Sequence, residues 1–559
     1  MVQTHDPWQW LFVAAALGSA AGLASYAHAL GAGKGLVPRL SDGVERMTGL
    51  PDWAAATLIA GLWALAVAVI GFEWDVAWHA DNGRDKELLT VPHTLILLGL
   101  GGLAVAAGLS VWLSRRRGRG IPKATPALAL LALGALAGFP LDDFWHLKYG
   151  IDVTMWSPTH LLMIGAASLA TIALWELLAE AHLGQARRSL RWATYGGTAL
   201  VGLSTFQLEY DMGIPQWQLI FQPILIAAAA GIILVAARVA IGRGGALLSA
   251  LVFIAIRGFL LILIGPVLGH AWPRFPLYLG EAAVVEAVFW LGGNRLRPWQ
   301  AALACGLGIG TIGLLIEAAW IGLWYTDPWT PALLPYMWQP LVAALAAAPA
   351  GLALGRSLVG ARSAFPAAVP ALGLAVIAAL LGYHVLARHA EPATFAVALT
   401  QAGTVEVSVT PATAAANADE LDATAWQGHA PLVHRHLVEV APGRFRSDGP
   451  LPSGDGWKSI VVIGRGDMLD AAPVSLPADF ETKAPAVTPS TGSPREEPAV
   501  GTPQLLMREF HGGRDPFAVS VFAIFLGFVL AWLVSLGLGA AALSPRRRPR
   551  SAASRFALP

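Results

Sequence analysis

The segments "FEWDVAWHADNGRDKELLTVPH" (residues 72–93) and "FPLDDFWHLKYGIDVTMWSPTH" (residues 139–160) are two polar stretches in a strongly apolar chain. Aligned without a gap, they share Phe, Asp, Trp, His, Gly, Asp and the closing His at the same positions. Apolar runs lie before and after each segment, and a run of about twenty residues crosses a bilayer as a helix. Each segment therefore predicts a hairpin of two membrane helices joined by a polar loop.

The composition of the whole chain agrees with a membrane protein. Of its 559 residues, 55% are hydrophobic and 13% are charged, and the mean hydropathy is +0.58. A water-soluble protein of this length could not bury so much apolar surface in its core. We predict an α-helical polytopic membrane protein with about thirteen transmembrane helices, many of them in repeated outward-facing hairpins. The helices centre near residues 8–30, 52–72, 90–113, 125–141, 157–180, 190–208, 216–238, 245–267, 275–292, 299–321, 332–355, 366–387 and 515–540.

Clusters of arginine residues fall in every second connection between the predicted helices. Cytoplasmic loops of membrane proteins are enriched in Lys and Arg, so these connections are predicted to be cytoplasmic. The chain is then a multi-pass protein of the plasma membrane, with its N-terminus outside, its C-terminus in the cytoplasm and both polar segments at the outer face. The clusters lie at residues 115–119, 187–188, 238–243, 295–297, 356–362 and 546–548.

The apolar pattern divides the chain into five parts. Residues 1–388 are predicted to form a membrane domain with twelve helices, and residues 389–483, with alternating stretches such as "TVEVSVT" (404–410), a small extracytoplasmic β-sandwich domain. A Pro-rich linker (484–514), a last transmembrane helix (515–540) and a basic cytoplasmic tail (541–559) follow. Because later hairpins keep a proline but lose both histidines, we interpret the hairpins as copies of one internal repeat.

The two polar segments carry the residue types of a metal site. In each copy an Asp precedes a His by four positions, which places both side chains on one face of a helix. A second His follows past the loop, at the start of the returning helix. Carboxylate and imidazole together suit Cu(II), Zn(II) or Fe(II), and three such ligands leave coordination positions open. The predicted ligands are Asp75, His79 and His93 in the first copy and Asp142, His146 and His160 in the second.

Two further aspartates, Asp85 and Asp152, also match between the copies. They are candidates for additional ligands or for hydrogen-bond acceptors that fix the imidazole tautomer. A plainer interpretation of each copy is a satisfied Asp–His pair at a helix end, beside tryptophans that anchor the helix at the membrane interface.

The Asp-x3-His-x13-His arrangement resembles the metal site in the membrane C subunit of the particulate methane and ammonia monooxygenases. By position, Asp75, His79 and His93 match that site, and so do the three residues of the second copy. The resemblance implies copper as the metal, and it raises the prospect of a copper-dependent membrane oxidase or monooxygenase. The stretch 443–468 in the β domain similarly resembles small periplasmic β-sandwich domains that handle copper.

Other ionisable residues form two further candidates. Arg257 and Glu286 lie midway along neighbouring predicted helices, which predicts an intramembrane ion pair or, alternatively, part of a proton or ion path. His429, His434 and His436 lie close together in the β domain and form a candidate second metal site, or else a polar loop leading into a strand. The lone cysteine, Cys305, has no partner for a disulfide.

These observations favour an integral membrane metalloprotein that binds copper, or alternatively zinc or iron, for metal handling or oxygen activation. A secondary transporter is one alternative, suggested by the repeated hairpins and the intramembrane charges. A b-type cytochrome with the four histidines as haem ligands is another, although adjacent carboxylates suit a small cation better than a porphyrin. The expected partners are the lipid bilayer, a metal ion and other membrane subunits; motifs for nucleotides are absent from the sequence and no nucleic acid is expected. Metal identity, substrate, oligomeric state and the choice between one dinuclear centre and two separate sites are left open.

Overall fold

A computed structural model of the chain describes residues 6–32, 49–82, 89–149, 155–181, 190–214, 217–292, 295–386, 392–416, 418, 420–427, 430–454, 456–465, 468–478, 485–501 and 516–543. Three of the predicted site residues, Asp85, Asp152 and His429, lie outside these ranges. The six predicted ligands of the two polar segments all lie within them.

The described membrane part is a bundle of α-helices. Its helices are α1 (Trp10–Ala32), α2 (Asp52–Asn82), α3 (Val91–Arg116), α4 (Thr125–Tyr149), α5 (Pro158–Ala181), α6 (Leu190–Ser204), α7 (Leu208–Met212), α8 (Phe221–Ile241), α9 (Gly245–Ile262), α10 (Leu279–Gly292), α11 (Pro298–Gly308), α12 (Leu314–Trp324), α13 (Trp338–Leu358), α14 (Ala368–Leu386) and α15 (Pro516–Leu543). A π-helical turn, Ile309–Gly313, joins α11 and α12 into one span. The chain is a multi-pass membrane protein by the length and apolar character of these helices.

The predicted number of thirteen spans is not confirmed. Among the described residues, ten helices are long and apolar enough to cross a membrane, and α14 contributes a shorter apolar helix. Two other predicted spans are short helices, because α6 ends after 15 residues and α10 after 14 residues. The chain beyond α6 continues through a 3-10 turn into α7, which ends at Gly213 with a φ of 71° that glycine adopts most readily.

Helices α2 and α3 form one hairpin, and helices α4 and α5 form another beside it. In each hairpin a glycine allows close contact just before the polar segment. A Cβ on Gly71 would lie 2.8 Å from the carbonyl oxygen of Pro92, and a Cβ on Gly138 would lie 3.2 Å from that of Thr159. Gly71 and Gly138 each directly precede a polar segment, and Pro92 and Thr159 occupy matching positions within the two segments. The same local packing therefore brings both pairs of helices together.

The last helix, α15, packs along one side of the second hairpin. It packs against α4 and α5, and the indole nitrogen of Trp532 donates to the carbonyl oxygen of Leu130 at 3.0 Å. Near the other end of α15, the rings of Phe517 and Phe522 lie 6.5 and 6.2 Å from that of Trp145. The buried Trp145 directly precedes the predicted ligand His146.

The β domain is a single antiparallel sheet that curls towards a barrel. Its nine strands follow the order β8-β1-β2-β5-β4-β3-β6-β7-β9. Phe395, Val407, Phe445 and Val461 are among the residues of its core. The strands are β1 (Thr394–Leu399), β2 (Thr404–Thr410), β3 (Glu420–Gln427), β4 (Ala430–Ala441), β5 (Arg444–Pro450), β6 (Lys458–Arg465), β7 (Met468–Ser475), β8 (Arg495–Pro498) and β9 (Val500–Gly501).

Two features of the β domain differ from expectation. The predicted β-sandwich is found as one nine-stranded sheet, because residues 430–436 of β4 pair with β3 and residues 437–441 of β4 pair with β5. The segment predicted as a Pro-rich linker also contributes to the sheet: β8 pairs with β1, and β9 pairs with β7. Strands β3 and β4 contact α2, so the sheet sits at one end of the helix bundle.

Candidate metal centre

The first polar segment brings a carboxylate and two imidazoles together between α2 and α3. His79 Nδ1 lies 3.7 Å from Asp75 Oδ2, and His93 Nε2 lies 3.2 Å from Asp75 Oδ1. The two imidazole rings have centroids 6.1 Å apart. The Asp75 side chain is 14% exposed, so the group is partly covered but open to one side. All three sequence-predicted residues of this copy therefore meet at one point.

The second polar segment repeats the arrangement between α4 and α5. His146 Nε2 and His160 Nε2 lie 3.0 and 3.3 Å from the same oxygen, Asp142 Oδ2. The other carboxylate oxygen, Oδ1, accepts a hydrogen bond from Thr159 Oγ1 at 2.5 Å. The first copy has Pro92 at the position of Thr159, and there the two histidines approach different oxygens of Asp75. The two groups share residue types and differ in geometry.

Local sequence explains why the second histidine of each copy points back at the carboxylate. In the first hairpin, Thr90 caps the N-terminus of α3, and its hydroxyl accepts from the backbone N–H of His93 at 3.3 Å. In the second, Ser157 Oγ accepts from the N–H of His160 at 3.2 Å. A hydroxyl cap fixes where a helix begins, so it also fixes the direction of the His three residues later. Sequence analysis missed these caps, although they match in the alignment of the two segments.

The two groups are separate but neighbouring. Within each group the three residues offer ligand atoms that all lie within 4.8 Å of one another, and this set could hold a metal ion. Helix α2 packs against α5, which carries His160. The two groups therefore lie on neighbouring helices, and each is a separate set of three ligand residues.

A third cluster lies where the β domain meets the helix bundle. His436 Nδ1 lies 2.8 Å from Asp422 Oδ1, and His434 Nε2 lies 3.1 Å from Oδ1 of Asp327, which belongs to the connection after α12. Two of the three predicted β-domain histidines are thus brought together, and His429 is outside the described residues. The carboxylates Asp327 and Asp422 were not predicted, because nothing in the sequence places the connection after α12 beside β3.

Burial and neighbouring groups shift the pKa values of the residues in this cluster. Burial raises the pKa of Asp422, although the hydrogen bond with His436 opposes that shift. The same hydrogen bond raises the pKa of His436. Burial would lower the pKa of His434, but the hydrogen bond and charge of Asp327 outweigh it, so that pKa is also raised. Carboxylates therefore dominate the electrostatics of the cluster.

The predicted ion pair between Arg257 and Glu286 is wrong. Arg257 instead donates to Glu73 and, at 2.8 Å, to Asp211, and all three side chains are buried. Glu286 pairs with Arg238 at 2.8 Å and accepts from the backbone N–H groups of Gly244 and Ala246, where α9 begins. The physical reason is that equal depth in the membrane does not make two residues face each other.

Glu73 and Asp211 are functional candidates that sequence analysis missed. Glu73 lies two residues before Asp75 on α2, and its position in the second copy is occupied by Pro140. Tyr325 also donates to Asp211, at 2.8 Å. This buried charge network therefore includes a residue of the first copy that the second copy lacks. The mismatch between Glu73 and Pro140 in the alignment of the two copies is the sequence feature that could have singled out Glu73.

Comparisons with known proteins gave no match among protein-family models, curated proteins or solved structures. The resemblance to the C subunit of particulate monooxygenases is thereby limited to the two Asp/His/His groups, each of which could hold a metal ion.

Proposed function

We propose that this chain is an integral membrane metalloprotein that binds a divalent transition-metal ion at each of its two Asp/His/His groups. The observation that supports the proposal most is the convergence of a carboxylate and two imidazoles in both hairpins, with N–O separations of 3.0–3.7 Å. Ligands held about 2.1 Å from a tetrahedral metal ion are about 3.4 Å apart. The side chains already have the spacing that a bound ion would require.

Electrostatics supports a cation rather than a set of hydrogen bonds alone. With neutral imidazoles, each group carries the single negative charge of its aspartate. The nearby network of Glu73, Asp211 and Arg257 adds two carboxylates against one guanidinium. Net negative charge at the end of a membrane helix bundle is unfavourable, and a divalent cation bound by either group would balance it.

The donor set favours copper, with zinc and iron as the other candidates. Imidazole nitrogen and carboxylate oxygen are ligands of Cu(II), Zn(II) and Fe(II), and the resemblance to the monooxygenase site adds weight to copper. Three protein ligands leave positions for water or a further ligand. That openness fits both metal handling and oxygen activation, which we propose as the two roles to be distinguished.

The two alternative functions receive less support. Each carboxylate lies against both of its histidine rings, in the space that a porphyrin plane would need between two axial ligands. For a transporter, the buried Arg257 is engaged by two carboxylates and by the carbonyl oxygen of Arg274 at 2.9 Å. The charge of Arg257 is therefore already balanced by protein groups, which favours a structural role over a role in transport.

The test is the metal content of the full chain purified in detergent, measured by mass spectrometry after loading with Cu(II) and removal of unbound ion. The double variants H79N/H93N and H146N/H160N should each lose the equivalent bound at the altered group and keep the equivalent bound at the other hairpin. His28→Asn is the matched control, because His28 is exposed on α1 and belongs to none of the ion-binding clusters found among the described residues. Wild-type protein that retains no metal, or double variants that retain as much as the wild type, would overturn the proposal.

A further inference from the structure

The contact between the β domain and the helix bundle contains a set of metal-ligand side chains from both parts. Asp327 lies in the connection between α12 and α13, three residues after Trp324 ends α12. Its side chain is 4% exposed and reaches His434 on β4. This contact is independent of the two groups in the hairpins, because none of their six residues takes part in it.

Strand register explains why the β-domain members of the cluster point the same way. Asp422 on β3 pairs directly with His436 on β4, and His434 lies two residues before His436. Residues two apart on a strand project from the same face, and directly paired residues are neighbours across two strands. The same face carries Glu420, two residues before Asp422. The sheet therefore presents two imidazoles and two carboxylates towards Asp327.

The cluster concentrates negative charge in a covered place. Asp327, Glu420 and Asp422 are all buried, and they offer oxygens that lie within 4.8 Å of one another. The guanidinium of Arg274 acts on Asp327 from the bundle side, while its Nε donates to the carbonyl oxygen of Trp324 at 2.8 Å. Three carboxylates at this separation repel one another strongly unless a cation or protons lie between them.

We infer that Asp327, Asp422, His434 and His436 form a third binding site for a divalent transition-metal ion, one that fastens the β domain to the helix bundle. The N–O separations of 2.8, 3.1 and 3.9 Å lie on both sides of the roughly 3.4 Å expected between ligands of a tetrahedral ion. Two imidazoles with two carboxylates match the ligand preferences of Zn(II) and Cu(II). Glu420 is the adjacent carboxylate that adds to the negative field of the site.

The position of this site gives the ion a structural consequence. Two ligands come from β4 and one from β3, while Asp327 comes from the helix bundle, so a bound ion would hold both parts at once. Strands β3 and β4 also contact α2, the helix that carries Asp75 and His79. Metal binding at the interface would therefore restrain the sheet next to the first hairpin.

The experiment uses the full chain, stripped with a chelator and titrated with Zn(II), and it measures both bound equivalents and hydrogen exchange. Two variants test the site from its two sides: Asp327→Asn changes the bundle, and His436→Gln changes a β-domain side chain that is 61% exposed. Glu406→Gln is the matched control, because Glu406 is a partly exposed carboxylate on the same sheet, paired with Arg446 at 2.6 Å.

We expect D327N and H436Q each to bind one equivalent at least about tenfold more weakly than the wild type and E406Q. Zinc should slow hydrogen exchange at residues 325–330 and along β4 in the wild type and in E406Q, and should do so far less in the two site variants. The double variants H79N/H93N and H146N/H160N, which remove the hairpin groups, should keep this protection. The inference about the interface site can therefore fail or hold independently of the proposed function. Unchanged stoichiometry and affinity in D327N and H436Q, or zinc that leaves exchange at residues 325–330 unaltered in the wild type, would refute the inference.

Discussion

Replacing Gly71 by alanine should weaken the first metal group by separating the two helices that form it. A Cβ at this position would lie 2.8 Å from both the carbonyl oxygen of Pro92 and the backbone nitrogen of Ile96. These are backbone atoms, which cannot rotate away as a flexible side chain would. Ordinary contact begins near 3.4 Å, so α3 must retreat by about 0.6 Å at the residue next to His93.

That displacement acts directly on the geometry of the site. The separation of His93 Nε2 and Asp75 Oδ1, now 3.2 Å, would widen to about 3.8 Å if the ring moved with its helix. Overpacking costs about 1–3 kcal/mol, and the better helix propensity of alanine offsets about 1 kcal/mol of it. We expect Cu(II) affinity at the first group to fall by about tenfold or more, with a modest loss of stability.

The chain offers two matched comparisons for this experiment. Gly138→Ala is the counterpart in the second hairpin, where the backbone contact is 3.2 Å and the closest atom belongs to the flexible side chain of Met163. Its effect should be smaller and confined to the second group. Gly101→Ala lies on α3 with nothing within 4 Å of the added methyl group, so its affinity should equal that of the wild type.

The assay is competition for Cu(II) with a chromogenic chelator, performed on H146N/H160N protein that also carries H436Q, so that the first group is read apart from the second group and from the interface cluster. The effect of G138A is measured in the H79N/H93N background, again with H436Q. Wild-type affinity in G71A would refute the reasoning, and so would a G101A variant as impaired as G71A, because the close helix contact would then not determine the site.

Three further predictions follow from single contacts. Thr159→Val should weaken metal binding at the second group, because it removes the hydroxyl that holds Asp142 Oδ1, and leave the first unchanged; equal loss at both groups in the chelator competition would contradict this. Arg257→Met should destabilise the protein by about 3–5 kcal/mol, because it leaves Glu73 and Asp211 buried without their cation. Glu286→Gln should cost only about 1 kcal/mol, because it removes a partly exposed interaction at a helix end. Denaturant unfolding that shows a larger loss of stability in E286Q than in R257M would contradict the observed pairing. In protein stripped of metal by a chelator, the pKa of His436, which faces Asp422, His434 and Asp448, is raised. The charged form of His436 therefore stabilises the β domain in full below the ordinary pKa of about 6.5, and this contribution is lost as the pH rises through the raised pKa. Hydrogen exchange along β4 should be slower near about pH 5.5 than near about pH 8, and His436→Gln should abolish the difference.

The two Asp/His/His groups could be predicted because their geometry is local. The interval of four residues places Asp75 above His79 on one helix, and a short loop returns His93 to the same end of the hairpin. A repeated spacing makes such a pattern visible without any knowledge of tertiary structure. The capping hydroxyls and the close-packed glycines obey the same local logic and could have been found by extending the alignment by a few residues.

The remaining contacts depend on long-range packing that a sequence does not encode in any short window. Arg257 pairs with Glu73, which is 184 residues away in the sequence. Whether Arg257 pairs with Glu73 or with Glu286 depends on which helix faces are in contact. The predicted number of spans is not confirmed among the described residues, because apolar composition continues through α6 and α10, while helical length does not. Asp327 joins the interface cluster only because a whole domain docks over the connection in which it lies.

The place of α15 in the chain has a consequence for biosynthesis. This helix covers the side of the second hairpin, with Trp532 bonded to Leu130 and Phe517 beside Trp145, yet the ribosome makes it after the entire β domain. The second hairpin therefore stays open to lipid until nearly all of the polypeptide has emerged, whereas α2 and α3 can pair early. The ligands of both groups are present once α5 has been made, and the second hairpin gains its cover only when α15 follows. A chain that terminates prematurely within the β domain would leave the second hairpin permanently uncovered.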